Sequence, residues 1–362
     1  MGRRAVSIIM TRSDQPTLQS PDVAVTTAEQ LWFTGPRCIE LRQVPLGRPG
    51  PAQLLIQTRC SAISAGTEML VYRGQMPQQM ALDSSFESMQ STLEYPLQYG
   101  YACVGDVIAI GADVQPCWLG KRVFSFQPHV SYYLTNADQL IVVPDDIDDR
   151  AAVFLANMET AVNLAHDGAP IIGEQVVVLG QGVVGLLLAG ILAQFPLKNL
   201  LTLDGFSQRR ALSVAVGAQA SFDPLTQSDF ARHCLGQIDG ADLIYEVSGV
   251  PEALNLAVEL SGFESRIVIG SWYGNKSAVI ALGGDAHRNR LQITTSQVST
   301  LASSLRGRWD KPRRFDTAWD MIRRLQPEKL ISHQHQLTDA AALYHLLDTN
   351  PGDVLQAVFL YQ

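Results

Sequence analysis

The order of apolar and polar positions divides the chain into stretches of different texture. Residues 1 to about 27 are polar, rich in Ser, Thr and Gln, and lack a sustained period, which predicts a peripheral extension. From there to about residue 150 the chain is β-like. Arg37–Val44 partly alternates, Leu54–Thr58 is a second strand candidate, and Tyr101–Ile110 is a third that ends at Gly111. Turn signals such as Gly47-Arg48-Pro49-Gly50 and Pro144-Asp145-Asp146 separate these runs. The Gln-, Met- and Ser-rich segment from Gln75 to Ser91 interrupts them and predicts a long loop or short helix of the kind that borders a site.

Around residue 151 the texture changes to alternation. A helix over Arg150–Ala165 leads in. Strands are predicted at Val176–Leu179, Leu200–Asp204, Leu243–Val247 and Arg266–Gly270, with helices at Val184–Phe195, Gln208–Val216 and Pro251–Leu260. Such alternation predicts an α/β fold, a doubly wound parallel sheet with helices on both faces. Residues 301–362 supply helices at Arg313–Leu325 and Ala340–Leu347 and a closing strand at Val354–Leu360. The run from Val176 to Phe195 imitates a membrane span. Gly180, Gln181, Gly182 and Gly185 split it into a short strand and a helix, so no span is expected.

Composition narrows the classes. A length of 362 residues suits two domains, and 46% apolar with 17% charged residues argues against disorder. Basic residues number 27 against 35 acidic ones, a net charge of -8 that repels phosphate backbones and makes nucleic acid an unsuitable partner. Cys38, Cys60, Cys103, Cys117 and Cys234 lie far apart without CxxC spacing, neither a disulfide framework nor a zinc knuckle. The apolar stretch Ala5 to Met10 is too short for a signal-peptide core, and a cytoplasmic protein is expected.

The sharpest motif is Val176-Val177-Val178-Leu179-Gly180-Gln181-Gly182-Val183-Val184-Gly185. A GxGxxG that follows an apolar strand and opens an apolar helix is a dinucleotide fingerprint. Gly180 permits a tight turn, and Gly182 lets the backbone approach a pyrophosphate at the helix start formed by Val183 and Val184. Gly185 lets that helix lie close on the sheet. Asp204, nineteen residues after Gly185, ends the second strand. Its carboxylate can accept both ribose hydroxyls of NAD(H) and repel the 2′-phosphate of NADP(H). Arg209 reads equally as an adenosine neighbour or a solvated helix residue, and Arg209-Arg210 leaves room for NADP(H). The bland alternative for the whole motif is a structural βαβ unit.

Three further stations carry a family resemblance. Ser64-Ala65-Gly66-Thr67-Glu68 aligns with the Cys-Gly-Thr-Asp of zinc alcohol dehydrogenases, Tyr99-Gly100-Tyr101-Ala102-Cys103-Val104-Gly105 with their Gly-His-Glu motif, and Gly120-Lys121-Arg122-Val123 with their Gly-Asp-Arg-Val strand. In this order and spacing, about residues 30–362 resemble the medium-chain dehydrogenase/reductase superfamily. The resemblance implies a GroES-like catalytic domain over 28–157 and 301–362, a Rossmann domain over 158–300, and a homodimer paired through the Rossmann domains. It also shows departures. The three zinc-ligand positions become Ala65, Tyr101 and Ala156 or Asn157, the neighbouring glutamate becomes Ala102, and the four-cysteine structural zinc lobe is missing. These residues supply no thiolate, imidazole or carboxylate, so no zinc is expected. Tyr95-Pro96-Leu97-Gln98-Tyr99-Gly100-Tyr101 and Asn157-Met158-Glu159-Thr160-Ala161 are most similar to zinc-lacking bacterial members, some of them like the bacteriochlorophyllide hydroxyethyl dehydrogenase.

Without zinc, a side chain must stabilise or protonate the developing alkoxide. Tyr101, at a former ligand position, is the first candidate for proton donor, and a space-filling aromatic is the rival reading. Thr67 matches the hydroxyl of the family's proton relay, weakened by Leu70 where some members carry His. Glu159 reads as a raised-pKa acid or as a helix-start carboxylate favoured by the dipole. His129 and His287 are the other imidazoles worth testing. Thr160 matches a residue that touches the nicotinamide. Ser248, Gly270 and Ser271 follow strands at the sheet edge where ligands bind. Trp272 and Tyr273 bound a flat or apolar substrate, or serve as interface core.

The expected function is zinc-independent hydride transfer between NAD(H) and a small-molecule alcohol or carbonyl. Two alternatives remain: a quinone or enone reductase, and a non-catalytic NAD(H)-binding protein.

Overall fold

The computed structural model describes residues 27–77, 94–236 and 240–362. The N-terminal extension up to residue 26 and most of the Gln75–Ser91 segment lie outside the described residues.

Strands β1 (Thr27–Gly35) and β2 (Cys38–Pro45) pair as an antiparallel ribbon. Next come β3 (Gln53–Ala62), β4 (Cys103–Ile110), β5 (Arg122–Ser125), β6 (Tyr132–Asn136) and β7 (Ile141–Val142). The second half contributes β8 (Gln175–Leu179), β9 (Asn199–Leu203), β10 (Ala220–Phe222), β11 (Ala241–Glu246), β12 (Ser261–Ile269) and β13 (Gln292–Thr295). The chain closes with β14 (Ile331–His335) and β15 (Gln356–Leu360), which return to β3 and complete a seven-stranded mixed sheet.

The other sheet has six parallel strands in the order β10-β9-β8-β11-β12-β13. Strand order reverses across the parallel pair β8 and β11, with β9 and β10 added on one side and β12 and β13 on the other, the switch point at which doubly wound sheets open a crevice for ligands. The expected α/β fold class is the one observed. β8 is buried on both faces, which is why Val176 to Leu179 is an unbroken apolar run. The following helix, Val183–Leu192, is apolar all round because it lies between the sheet and the helices Leu155–Gly168 and Lys311–Leu325. Phe124 and Val143 of the mixed-sheet side share one apolar cluster with Val178 and Tyr245 of the parallel sheet.

The helix expected over Arg150–Ala165 is two pieces, Asp149–Ala152 and Leu155–Gly168. The Phe154 N–H bonds back to the Ala151 carbonyl, tightening the turn there, and Val153 and Phe154 are both fully buried. No helix among the described residues is long and apolar enough to cross a membrane.

Candidate active site

The glycine turn joins β8 to the helix Val183–Leu192. Gly180 has φ +95°, and a Cβ on it would sit 2.5 Å from the Ser248 Cα. Only glycine serves both demands. A Cβ on Gly185 would lie 2.0 Å from the Gly180 carbonyl oxygen, so this residue sets how closely the helix packs on the turn. Gly182 differs, because a Cβ there would meet nothing within 4 Å. Its face is open at the first turn of the helix, beside half-buried Val183 and Val184, where unpaired N–H groups can receive an anion.

Asp204 follows β9 and is buried. It accepts the Gln181 N–H at 2.7 Å and the Phe206 N–H at 2.8 Å, tying the end of β9 to the glycine turn. Each carboxylate oxygen has a further lone pair for a hydroxyl donor. The arginines after it are turned elsewhere. Arg209 donates to the carbonyls of Pro351 (2.6 Å) and Val354 (3.1 Å) and stacks over Phe206. Arg210 donates to the carbonyls of Asp204 and Gly205.

Ser248 follows β11, and Gly270 and Ser271 follow β12, so all three lie at the carboxyl edge of the parallel sheet. The Gly249 N–H donates to the Ser271 hydroxyl at 2.8 Å, and a Cβ on Gly270 would strike Leu164. A residue that sequence reasoning missed organises this edge. Glu246 is fully buried and accepts the N–H and hydroxyl of Ser248 on one oxygen and the Tyr273 phenol on the other. Burial and that carboxylate push the Tyr273 phenol up, so it is no ready acid. An acid closing an apolar parallel strand, as in Ala241–Glu246, was the signal available. Beyond Tyr273 the loop reaches the mixed-sheet half: Asn275 donates to the carbonyls of Gln75 (2.8 Å) and Met76 (2.9 Å), and Trp272 packs against apolar residues there. The Thr160 hydroxyl donates to the Ala156 carbonyl within its own helix.

Tyr101 lies just before β4. Its phenol donates to the Ser64 hydroxyl and lies 3.4 Å from the Thr67 hydroxyl, and its ring stands edge-on to Tyr99. Burial raises its pKa above the ordinary phenol value; bonds to Ser64 and Thr67 oppose that, and the charge of Glu68 adds to it. Ser64 was not foreseen as a site residue, although it belongs to the Ser64–Glu68 station. A tetrahedral zinc does not fit here. The matched positions hold two alanines, a phenol and either a third alanine or an amide. Among the described residues no three His, Cys, Asp or Glu side chains gather as a metal site.

The remaining candidates make no hydrogen bond to the Tyr101 phenol. His129 is 1% exposed, and both ring nitrogens are engaged, Nδ1 with the Ser61 hydroxyl at 2.7 Å and Nε2 with Glu68 at 3.0 Å. Glu159 is not at a helix start but within Leu155–Gly168, where its Oε1 accepts the Arg314 Nε (3.0 Å) and Nη2 (2.6 Å). Arg314, fully buried, also holds Asn163 and the carbonyls of Val298 and Thr300. That ion pair joins the helices Leu155–Gly168 and Lys311–Leu325. His287 is exposed.

No family model matches the chain. An L-threonine 3-dehydrogenase of Legionella pneumophila (strain Corby) is 26% identical over 252 residues, 60% of this chain and 69% of that protein. Among solved structures, a short chain alcohol dehydrogenase of Escherichia coli CFT073 complexed with NADH superposes with a TM-score of 0.75 at 19% identity, over 93% of this chain and all of the other. The 2R,3R-butanediol dehydrogenase of Bacillus subtilis gives a TM-score of 0.75 at 16% identity, over 92% of this chain and all of that one. The chain has the fold of the medium-chain alcohol dehydrogenases.

Proposed function

We propose that this protein is a nicotinamide-dependent oxidoreductase that interconverts an alcohol and a carbonyl without zinc. The observation that carries the reading is the pairing of two features: a glycine turn open for a diphosphate at Gly182, and the Tyr101 phenol bonded to Ser64 and Thr67 at a position where zinc-type relatives hold the metal. The similar threonine dehydrogenase and the NADH-bound neighbour support it.

NAD(H) supplies or receives the hydride when bound. The protein's own residues do the rest. N–H groups at the start of Val183–Leu192 hold the diphosphate, and Asp204 accepts the ribose hydroxyls. That carboxylate favours NAD(H), and the engagement of Arg209 and Arg210 with backbone carbonyls leaves neither poised for a 2′-phosphate. Tyr101 gives its proton to the carbonyl oxygen as the carbon is reduced, and Ser64 and Thr67 pass a replacement to the phenolate. In oxidation the proton moves the other way. A phenol supplies less charge stabilisation than a Lewis acid worth several kcal/mol, so activated or conjugated carbonyls are the favoured substrates.

The outer edge of β13 supports a homodimer. All four residues of this strand are exposed, including Ile293 at 42%, and an open edge strand is a pairing surface.

The test is metal analysis of purified protein beside fluorescence titration with NADH and NADPH, then a panel of aryl ketones, enones and quinones. Substoichiometric zinc, tighter NADH binding and ketone turnover uphold the reading. Stoichiometric zinc overturns it, and preference for enones or quinones moves the reaction to conjugate reduction.

A further inference from the structure

Behind Tyr101 lies a buried polar chain that hydride transfer as described above does not use. Glu68 opens the short helix Glu68–Arg73 and is 0% exposed. Its Oε1 accepts the Ser64 N–H at 2.8 Å. Its Oε2 accepts His129 Nε2 at 3.0 Å and the phenol of Tyr344, from the helix Ala340–Thr349. His129 Nδ1 meets the Ser61 hydroxyl at 2.7 Å, and Ser61 meets the Tyr361 phenol at 2.9 Å. One assignment of hydrogens satisfies every bond. In it Tyr361 donates to Ser61, Ser61 to His129 Nδ1, and His129 Nε2–H to Glu68. Every donor then points toward the carboxylate.

Such a carboxylate is a costly way to fill space, since well-packed apolar side chains generally serve stability as well as buried charge does. Among the described residues no Lys or Arg lies within ion-pair distance of it, and His129 is its one potentially cationic partner. The titratable groups facing it are His129, Tyr344, Tyr361 and Tyr101. Its Oε1 holds the Ser64–Thr67 turn, whose hydroxyls hold the Tyr101 phenol.

We propose that Glu68 is a positioning residue for proton transfer at Tyr101: it clamps the turn through the Ser64 N–H and sets a fixed negative charge behind the phenol, while His129 and Tyr344 hold it there. The proposal rests on Tyr101 being the proton donor. Its consequence is directional. A negative charge nearby disfavours the phenolate, so the resting phenol is protonated and ready for carbonyl reduction, and alcohol oxidation needs more alkaline conditions.

The first measurement needs no substrate. Protein labelled with carbon-13 at tyrosine Cζ is titrated with NADH present, and Tyr101→Phe identifies the Tyr101 resonance. Glu68→Gln keeps shape and removes charge, so the onset of Tyr101 ionisation is expected about one pH unit lower than in the parent protein. An unchanged onset overturns the proposal. His129→Gln is the second arm, should Glu68→Gln fail to fold. It keeps the charge and loosens the clamp, so the Ser64 amide, bonded to Glu68, should exchange its hydrogen about tenfold faster. Parent-like exchange there overturns the clamp. Failure of the underlying reading looks different: Tyr101→Phe would retain ketone turnover while the Glu68→Gln shift persisted.

Discussion

The glycine turn after β8 and the side chains around Tyr101 are two halves of one candidate site that follow opposite logics. At the turn, backbone does the work. Gly180 and Gly185 have no room for a Cβ, and Gly182 leaves an open approach. Any residue with a side chain would damage the fold, the approach or both, so the motif stays readable. Around Tyr101, side chains do the work, and backbone geometry survives their replacement. Ala65, Tyr101 and Ala102 stand on a loop and strand start without offering one good metal donor. Fold likeness therefore says much about the cofactor half and little about the chemistry of the other half.

The comparison can be broken at either end. The largest effect is expected from Tyr101→Phe, which removes one hydroxyl and should lower kcat for ketone reduction about a thousandfold with NADH affinity unchanged. Retained turnover would remove the side-chain half of the contrast. Gly185→Ala comes next. Its Cβ overlaps the Gly180 carbonyl, so the helix must retreat, and NADH affinity measured by fluorescence should fall about a hundredfold. Asp204→Asn keeps the size and loses the charge. NADH affinity should weaken about tenfold, and the preference over NADPH should shrink by more, as paired titrations would reveal. The smallest effect is none: dialysis against a zinc chelator should leave turnover unchanged, and a loss restored by zinc would mean that a donor set of another kind exists.

The elements legible in the sequence were those with a burial pattern. β8, β9, β11 and β12 carry apolar runs because helices cover both sheet faces. β10, three half-buried residues, and β13, four exposed ones, have no such pattern and were not foreseen. They exist because a neighbouring strand offers an unpaired ladder. The site divides in the same way. Gly180, Gly182, Gly185 and Asp204 could be named from spacing, since their roles are local. Glu159 was placed at a helix start with its partner unseen, because Arg314 lies 155 residues away. His129 looked like a loop imidazole until Glu68, 61 residues before it, and Ser61 closed around it.

The sequence by itself determined the alternation that builds the parallel sheet, the glycine turn that can receive a diphosphate, and the absence of metal donors at the matched positions. These depend on residue type and short spacing, which folding does not alter. Only the tertiary structure decided which polar side chains meet. It joined Ser64, Glu68, His129, Tyr344 and Tyr361 behind Tyr101, and drew Ser248 and Tyr273 onto Glu246. A buried polar group must find a partner wherever the packing brings one, and that partner's distance along the chain carries no signal.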